Sequence, residues 1–207
     1  MADRTIFIIS GPSGAGKGTI CERIMKEMQG LALSVSFTTR APRPRKDGSM
    51  EVCGEDYNFI SHEDFAKRIA DNDLYEKATV HGEWYGTSRS FVKSKLEEGN
   101  DVILEIDMQG ALQVKNLEPN AVLIYILPPT KEEQLARLKG RGSETEEKLQ
   151  KRLADAPQQL SYAYIYDYVV MNDDLTTAVE QVKTIIEASR LKACVNKPLI
   201  DKVKESY

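Results

Sequence analysis

Residues 5–19 read TIFIISGPSGAGKGT, a short apolar strand followed directly by a glycine-rich turn that ends in a lysine. A helical stretch from Ile20 to Met28 comes next and stops at Gly30. Glycines let backbone N–H groups turn inward around an anion, and the following helix N-terminus adds its positive dipole end. The order of strand, glycine loop and helix therefore predicts a phosphate-binding loop. In it Lys17 supplies a compact charge for the β- and γ-phosphates of a nucleotide.

This loop is the candidate binding site for the phosphates of ATP. Its members are Gly11, Pro12, Ser13, Gly14, Ala15, Gly16, Lys17, Gly18 and Thr19. In most loops of this kind a Ser or Thr follows the lysine and binds Mg²⁺ through its hydroxyl, whereas this chain has Gly18 there. We therefore expect Thr19 to support the phosphates or a water of the metal shell, with Mg²⁺ as the cofactor that accompanies ATP.

The composition argues against several classes of protein. The 207 residues are 41% hydrophobic and 29% charged with a net charge of -4, which favours one compact domain and no nucleic-acid partner. No apolar run approaches the roughly 20 residues of a membrane span, and no signal-peptide pattern opens the chain. We expect a cytoplasmic protein without a membrane partner. Cys21, Cys53 and Cys194 lack the spacing of a zinc site and are interpreted as reduced thiols, with Cys21 in the core.

Short apolar runs alternate with amphipathic stretches, which predicts an α/β fold with a mainly parallel central sheet. The runs 5–9, 102–106 and 121–127 are rich in Ile, Val and Leu, as in strands covered by helices on both faces. Ser61 and Thr130 each begin a helix with capping-box spacing. After Asp174, apolar residues fall on one helical face: Leu175, Ala178, Val179, Val182, Ile185 and Ile186.

Two segments, 38–57 and 139–153, break this alternation with clustered charges. On their own they would be interpreted as a solvated loop and a solvated helix. Beside a phosphate loop, Arg40 and Arg43, three apart on a proline-stiffened segment, form with Tyr57 a suitable cradle for a nucleotide monophosphate dianion.

Further motifs bear on the acceptor of the phosphoryl group. In chain order they are VSFTTRAPR at 35–43, GEDYNF at 54–59, YGT at 85–87, LEIDMQG at 104–110, LPP at 127–129, RLKGRG at 137–142 and VMNDD at 170–174. Together with the phosphate loop, these motifs resemble those of guanylate kinases, and the resemblance covers roughly residues 5–190.

The resemblance implies a P-loop three-layer α/β/α fold with an inserted GMP-binding subdomain and a small helical lid. The implied domain is 1–190, with a core of 1–34, 100–137 and 160–190, a GMP-binding subdomain of 35–99 and a lid of 138–159. Residues 191–207 are a C-terminal tail that either packs as a helix or frays. The implied activity is transfer of the γ-phosphoryl group of ATP to GMP, and to dGMP, in purine nucleotide metabolism.

The resemblance also assigns an acceptor site. Arg40, Arg43 and Tyr57 would hold the GMP phosphate, while Glu76 would accept the guanine N1–H and N2–H₂ donors with support from Ser36 and Thr87. The remaining implied GMP contacts are Tyr85, Gly86, Glu105 and Asp107. The family usually has Asp where this chain has Glu105, and the loop 44–54 is a few residues longer than the family pattern.

A third group of residues would act on the transferring phosphoryl group. Lys17, Arg40, Arg137, Arg141 and Arg152 match family residues that neutralise its charge, and closure of the lid would exclude water. Asp107 ends an apolar strand, where an acid can reach Mg²⁺ or its waters. Asn172 would contact the adenine side of ATP.

Two alternatives stay open at this point. The first is a P-loop kinase of another small phosphorylated acceptor. The second is a non-catalytic guanylate-kinase-like interaction module, although such modules typically lose the phosphate loop that this chain retains. The sequence also leaves a homo-oligomer possible.

Overall fold

The computed structural model describes residues 4–45, 48–80, 82–140 and 146–207, with the backbone alone over 146–153. The strands are β1 (Ile6–Ser10), β2 (Leu31–Ser34), β3 (Phe37–Thr38), β4 (Asn58–Phe59), β5 (Leu74–Val80), β6 (Glu83–Ser88), β7 (Asp101–Glu105), β8 (Val122–Leu127) and β9 (Tyr168–Met171). The α-helices are α1 (Lys17–Glu27), α2 (His62–Ala70), α3 (Arg89–Glu97), α4 (Met108–Leu117), α5 (Lys131–Gly140), α6 (Glu146–Ser161), α7 (Leu175–Arg190) and α8 (Lys197–Lys204). A 3₁₀ turn covers Tyr162–Ile165.

Five strands form the central sheet in the order β2-β7-β1-β8-β9, and every neighbouring pair is parallel. Alternate residues of β1 face two separate apolar layers. Phe7 and Ile9 pack with α1 and α7, whereas Ile6 and Ile8 pack with α3 and α4. The sheet is therefore covered by helices on both faces, and the predicted three-layer fold with a mainly parallel sheet is confirmed.

A second, mixed sheet has the order β4-β3-β6-β5. Strand β6 pairs antiparallel with both β3 and β5, and Phe37, Phe65 and Leu74 form its small core together with Trp84. Strand β5 also packs against α4, which begins just beyond the end of β7 in the central sheet. This contact fixes the second sheet next to the end of the central strands, where parallel α/β sheets bind their ligands.

Several local predictions from the sequence are confirmed. The backbone N–H of Asp64 donates to Ser61 Oγ at 3.0 Å, and that of Glu133 donates to Thr130 Oγ1 at 3.1 Å, so both helix caps form. Helix α7 buries the predicted face, and Cys21 is buried. The tail contains α8, and no helix of the described residues is long and apolar enough to cross a membrane.

The predicted start of the first helix at Ile20 is wrong by one turn, because α1 begins at Lys17. Its apolar face begins only at Ile20, since the first turn faces the phosphate loop and not the core. The predicted strand edges differ from β1, β7 and β8 by one residue. A further capping box starting at Ser143 lies outside the described residues.

One buried acid connects the sheet to α7. Asp101, with 1% of its side chain exposed, accepts the Thr5 N–H through Oδ1 at 2.8 Å and Arg190 Nε through Oδ2 at 2.7 Å. Both donors lose their partner if this carboxylate is removed. A buried donor that has no partner has lost its contacts with water and gained nothing in return. The two hydrogen bonds of Asp101 should therefore contribute strongly to the stability of the fold.

We expect Asp101→Ala to lower the free energy of unfolding by about 3 kcal/mol, measured by urea denaturation. Asp167→Ala is the matched control, because Asp167 also accepts a strand N–H, from Leu123 at 2.9 Å, but is 40% exposed. Water can replace that carboxylate, so its loss should cost only about 1 kcal/mol. Equal losses for the two variants would contradict the buried-anchor role of Asp101.

Candidate active site: a donor loop and an acceptor pocket share one cavity

The phosphate loop occupies the turn between β1 and α1, and its glycines are required by close contacts. A methyl group at Gly11 would lie 2.3 Å from the Ile126 carbonyl oxygen, and one at Gly16 would lie 2.2 Å from Asn172 Nδ2. Gly14 and Gly16 also have φ values of 84° and 94°, in the left-handed region that favours glycine. Side chains at these positions would therefore prevent both the backbone conformation of the loop and its close contacts with neighbouring residues.

Side chains from neighbouring elements hold this loop from outside. Asn172 Nδ2 donates to the Ala15 carbonyl oxygen at 2.8 Å, and Gln134 Nε2 donates to that of Ser13 at 2.8 Å. Arg137 Nη2 donates to the Asn172 carbonyl oxygen at 3.0 Å. Asn172 is thus buried behind the loop and supports its backbone. Gln134 was missed from the sequence because an amide within an amphipathic helix gives no signal of its own.

Lys17 begins α1 and lies back across the loop. Its Nζ donates to the Gly11 carbonyl oxygen at 2.9 Å and to that of Pro12 at 3.3 Å. The ammonium is therefore placed at the mouth of the loop rather than in bulk solvent. A helix N-terminus, a glycine-rich turn and this charge are features that favour the binding of phosphates.

A cavity of about 870 Å³ brings the loop together with the predicted acceptor residues. Its lining includes Gly11, Ser13, Lys17, Ser36, Arg40, Arg43, Tyr57, Glu76, Tyr85, Glu105 and Asp107. The volume is within the range of cavities that hold nucleotide-sized ligands. Residues that follow β1 therefore line the same cavity as residues that follow β7, although they are far apart in the sequence.

Arg40 is paired with an acid that the sequence analysis did not single out. Its Nη1 and Nη2 donate to Glu51 Oε2 and Oε1 at 2.7 and 3.1 Å, in the bidentate geometry favoured by guanidinium and carboxylate. The Arg43 N–H also donates to Glu51 Oε2 at 2.8 Å. Arg40 is only 7% exposed, so this pair fixes its guanidinium at the cavity wall. A lone Glu in a charged loop gives no signal of such a role in the sequence.

Aromatic rings complete the wall around Arg40. The Arg40 guanidinium carbon lies 5.1 Å from the centre of the Tyr57 ring, and the Tyr57 and Tyr85 rings are 5.9 Å apart. Burial raises the pKa of Tyr57 above its usual value, so its hydroxyl stays a hydrogen-bond donor at neutral pH. Arginine and phenol groups of this kind can bind a phosphate dianion.

Two short segments that follow Arg43, 44–45 and 48–50, contact each other at the edge of the cavity. Pro44 and Met50 are bridged as in an antiparallel pair, and the Arg45 N–H donates to the Ser49 carbonyl oxygen at 2.6 Å. The Arg45 guanidinium pairs with the Asp56 carboxylate, one residue before Tyr57. This ion pair therefore connects the segment that contains Arg43 to the segment that contains Tyr57.

Glu76 is the most deeply buried acid of the cavity, with 4% of its surface exposed. Thr87 Oγ1, from the neighbouring strand, donates to Glu76 Oε1 at 2.8 Å. Desolvation raises the pKa of Glu76 to about 7, with a smaller contribution from the negative charge of Asp107. Thr87 and Gly86 are themselves buried and do not line the cavity, and Thr87 contacts it only through Glu76.

Asp107 and Glu105 lie where β7 ends and α4 begins. Asp107 Oδ1 accepts the Gly110 N–H at 2.9 Å and so caps α4. A methyl group at Gly18 would lie 3.6 Å from Glu105 Oε2. Gly18 and Glu105 therefore face each other, because β7 is the neighbour of β1 in the sheet.

The donor set is compatible with a magnesium ion that is shared with a nucleotide. Among the described residues, no group of three or more His, Cys, Asp or Glu side chains is arranged to hold a metal alone. Mg²⁺ commonly binds through one or two carboxylates, substrate phosphates and waters, and Asp107 and Glu105 line the cavity that also contains Lys17. Thr19 is exposed in the first turn of α1.

The predicted lid arginines are described only in part. Arg137 lies on α5 and pairs with Glu133 at 3.0 Å in addition to its contact with Asn172. Arg141 lies outside the described residues, and Arg152 belongs to the part of α6 whose backbone alone is described. Three other α6 residues line the cavity: Asp155, Gln158 and Gln159. The sequence did not single them out as cavity residues, because they belong to a charged helix.

Comparison with known proteins gives a consistent family match. Residues 3–189 match the family model described as guanylate kinase. A guanylate kinase from Caldanaerobacter subterraneus subsp. tengcongensis is 48% identical over 200 residues, which are 97% of this chain and 95% of the relative. One from Salmonella typhi is 45% identical over 194 residues, 93% and 91% of the two chains. The crystal structure of guanylate kinase from Anaplasma phagocytophilum matches with a TM-score of 0.76 and 30% identity, over 94% of this chain and 90% of that one.

The buried carboxyl of Glu76 generates a prediction about stability. With its pKa raised from 4.5 to about 7, the folded chain retains a proton that the unfolded chain releases between these values. Stability should therefore fall as pH rises through this window, by about 3 kcal/mol in total. Glu76→Gln removes the titration, so its free energy of unfolding should exceed that of the wild type increasingly from pH 5 to pH 8.

The measurement is urea unfolding of both proteins at several pH values between 5 and 8. Glu97→Gln, at an exposed position of α3, is the matched control and should show a much smaller change with pH. A Glu76→Gln difference that stays constant over this range would show that the Glu76 carboxyl is not held protonated by the fold.

Proposed function

Because the chain belongs to the guanylate kinase family and transfers the γ-phosphoryl group of ATP to GMP, we propose a division of this reaction between two sets of its residues. One set binds the phosphates of ATP and the other binds GMP. The observation that carries the proposal is the single cavity lined by Lys17 from the donor loop and by Arg40 and Glu76 from the acceptor side. In-line transfer needs the two nucleotides in one water-poor space.

The donor site is the loop from Gly11 to Thr19. Backbone N–H groups of the loop and the N-terminus of α1 bind the phosphates, and Lys17 stabilises the charge that moves with the γ-phosphoryl group. Asn172 contributes by holding the Ala15 carbonyl at 2.8 Å, a position behind the loop. We therefore assign Asn172 a role in positioning the loop in addition to any contact with adenine.

The acceptor phosphate is bound by Arg40, Arg43, Tyr57 and Tyr85. The bidentate Glu51 pair orients Arg40, because two N–H groups are fixed and the remaining face of the guanidinium lies toward the Tyr57 ring. A guanidinium held in one orientation loses less conformational entropy when it binds phosphate. Glu51 is thus a positioning residue for the acceptor phosphate.

Guanine is selected by Glu76. Guanine presents N–H donors at N1 and N2, which an ionised carboxylate can accept, whereas adenine has no donor at N1 and no amino group at C2. Thr87 occupies one lone pair of Glu76 Oε1 and leaves Oε2 available. Ser36 lines the same cavity and supports this recognition. The 2′ position of the sugar enters none of these contacts, so we include dGMP among the acceptors.

A divalent cation accompanies ATP in this class of reaction, and we propose Mg²⁺ with Asp107 as its protein partner and Thr19 in its water shell. When bound, the cation neutralises charge on the phosphates. Arg137 would add to this from α5, and Arg141 and Arg152 are proposed to reach the site when the 138–159 lid closes and excludes water.

We further propose that the 35–99 segment acts as the GMP-binding subdomain of a 1–190 domain, and that the protein works in the cytoplasm, where ATP and GMP are available. A homo-oligomer is compatible with this arrangement. Neither of the two alternatives is favoured. The phosphate loop expected to be lost in a non-catalytic module is present, and a kinase of another acceptor would not need a buried acid at position 76.

The role of Arg40 predicts a selective kinetic defect. Arg40→Ala should raise the KM for GMP by roughly a hundredfold and the KM for ATP by less than about threefold, because one charged contact to the phosphate is lost. Coupled measurement of ADP formation at varied GMP and ATP separates the two constants. An equal rise in both would contradict the acceptor-phosphate role.

The role of Glu76 predicts the nucleotide preference. In a panel of GMP, dGMP, AMP and UMP, we expect the wild type to use GMP and dGMP far better than the others. Glu76→Gln should reduce the ratio of kcat/KM for GMP over AMP by roughly a hundredfold, since an amide cannot accept from both guanine donors in the same way. An unchanged ratio would remove Glu76 from the base pocket.

A further inference from the structure

Gly110, in the first turn of α4, lies directly against the carboxylate of Glu76. A methyl group at position 110 would lie 2.8 Å from Glu76 Oε2, 3.1 Å from its Cδ and 3.2 Å from its Cγ. These are the three nearest atoms, and all belong to the same side chain. The space that a Cβ would occupy at position 110 is therefore the space that the Glu76 carboxylate uses.

The backbone at Gly110 does not itself demand glycine. Gly110 is within a regular helix and is not among the residues with positive φ. In a helix interior alanine is favoured over glycine, because glycine loses more backbone freedom on folding. The reason for a glycine here must therefore come from its neighbour, and that neighbour is Glu76.

Glu76 has little room to move away from α4. Thr87 Oγ1 holds its Oε1 at 2.8 Å from the adjacent strand, and Glu76 and Thr87 are register partners in the β5–β6 pair. The side chain is enclosed on that side, with 4% of its surface exposed. A group added at position 110 would push the carboxylate off Thr87 and toward the cavity.

Gly110 is also fixed in space. Its N–H donates to Asp107 Oδ1 at 2.9 Å, and the Ala111 N–H donates to the Asp107 carbonyl oxygen at 2.9 Å. The first turn of α4 is thereby tied to the end of β7. Gln113 adds two contacts with the Lys77 backbone, at 3.2 and 3.0 Å, that hold α4 on β5.

We propose that Gly110 is a positioning residue for guanine selection, whose missing side chain sets the depth of the Glu76 carboxylate in the base pocket. This inference rests on the proposed role of Glu76 in reading guanine. Gly110 acts through Glu76 and needs no contact with the nucleotide.

The geometry also shows why a substitution here is informative. The obstacle to a methyl group is a flexible carboxylate and not backbone, so Gly110→Ala can fold by displacing Glu76. A displacement of about 1 Å at a recognition group can reduce activity by roughly a hundredfold. The folded variant should therefore have a changed specificity.

The experiment compares Gly110→Ala with Asn116→Ala, a control at an exposed position of the same helix. For Gly110→Ala we expect the KM for GMP to rise by roughly ten- to a hundredfold, the KM for ATP to change by less than about twofold, and the preference for GMP over AMP to fall. Asn116→Ala should match the wild type. A Gly110→Ala enzyme with wild-type constants, or with both KM values raised equally, would overturn the proposal.

A double-mutant cycle with Glu76→Asp separates positioning from general damage. The aspartate is one methylene shorter and makes room for the alanine methyl, so Glu76→Asp should reduce kcat/KM for GMP less in the Gly110→Ala background than in the wild type. Independent, multiplicative effects would refute the coupling.

If Glu76→Gln leaves the GMP-over-AMP ratio unchanged, the proposed role of Glu76 fails. If Glu76→Gln alters the ratio and Gly110→Ala does not, only the present inference fails.

Discussion

The structure depends on one close approach, that of the Gly11 backbone to the Ile126 carbonyl oxygen of β8, where a methyl group would lie at 2.3 Å. This contact lets the chain leave β1 sharply and begin α1 within seven residues. The helix N-terminus is then aimed back across the end of the sheet, and Lys17 can lie over the loop that precedes it. A side chain at this point would displace the loop from β8, and Lys17 would lose the Gly11 and Pro12 carbonyls that hold it.

Two acids of the cavity, the half-buried Glu51 and the buried Glu76, have different electrostatic environments. Glu51 is paired with Arg40, and the Arg40 and Arg43 hydrogen bonds lower the pKa of Glu51 against an opposing effect of desolvation. Glu76 accepts from the Thr87 hydroxyl, and desolvation raises its pKa to about 7. An acid that is paired with a guanidinium can orient it and does not compete with Glu76 for the N–H donors of a nucleotide base. Desolvation favours the protonated form of Glu76, whereas two N–H donors from a bound ligand would favour the ionised form that accepts from both of them.

Much of the fold could be predicted from the sequence because its signals are local. The glycine loop, the apolar runs and the caps at Ser61 and Thr130 each involve neighbouring residues. The contacts of the candidate site could not be predicted in this way, because they join residues that are far apart in the chain. Gln134 holds Ser13 across 121 positions, and Glu51 has an ordinary charged context. Motif resemblance indicated Glu76, but only the structure relates it to Gly110, which in sequence alone is one glycine of a helix start.

Asp107 connects the two halves of the cavity. Its carboxylate faces the space shared with Lys17, and the same group caps the helix turn that contains Gly110. A cation bound at Asp107 Oδ1 would compete with the Gly110 N–H for that oxygen, whereas one bound at Oδ2 would leave the cap intact. Only the second arrangement keeps the wall behind Glu76 in place while the donor site is occupied. If Asp107 holds the water shell of a metal ion as proposed, it would be able to do so and cap α4 at once, and the position of Gly110 behind Glu76 would then be retained.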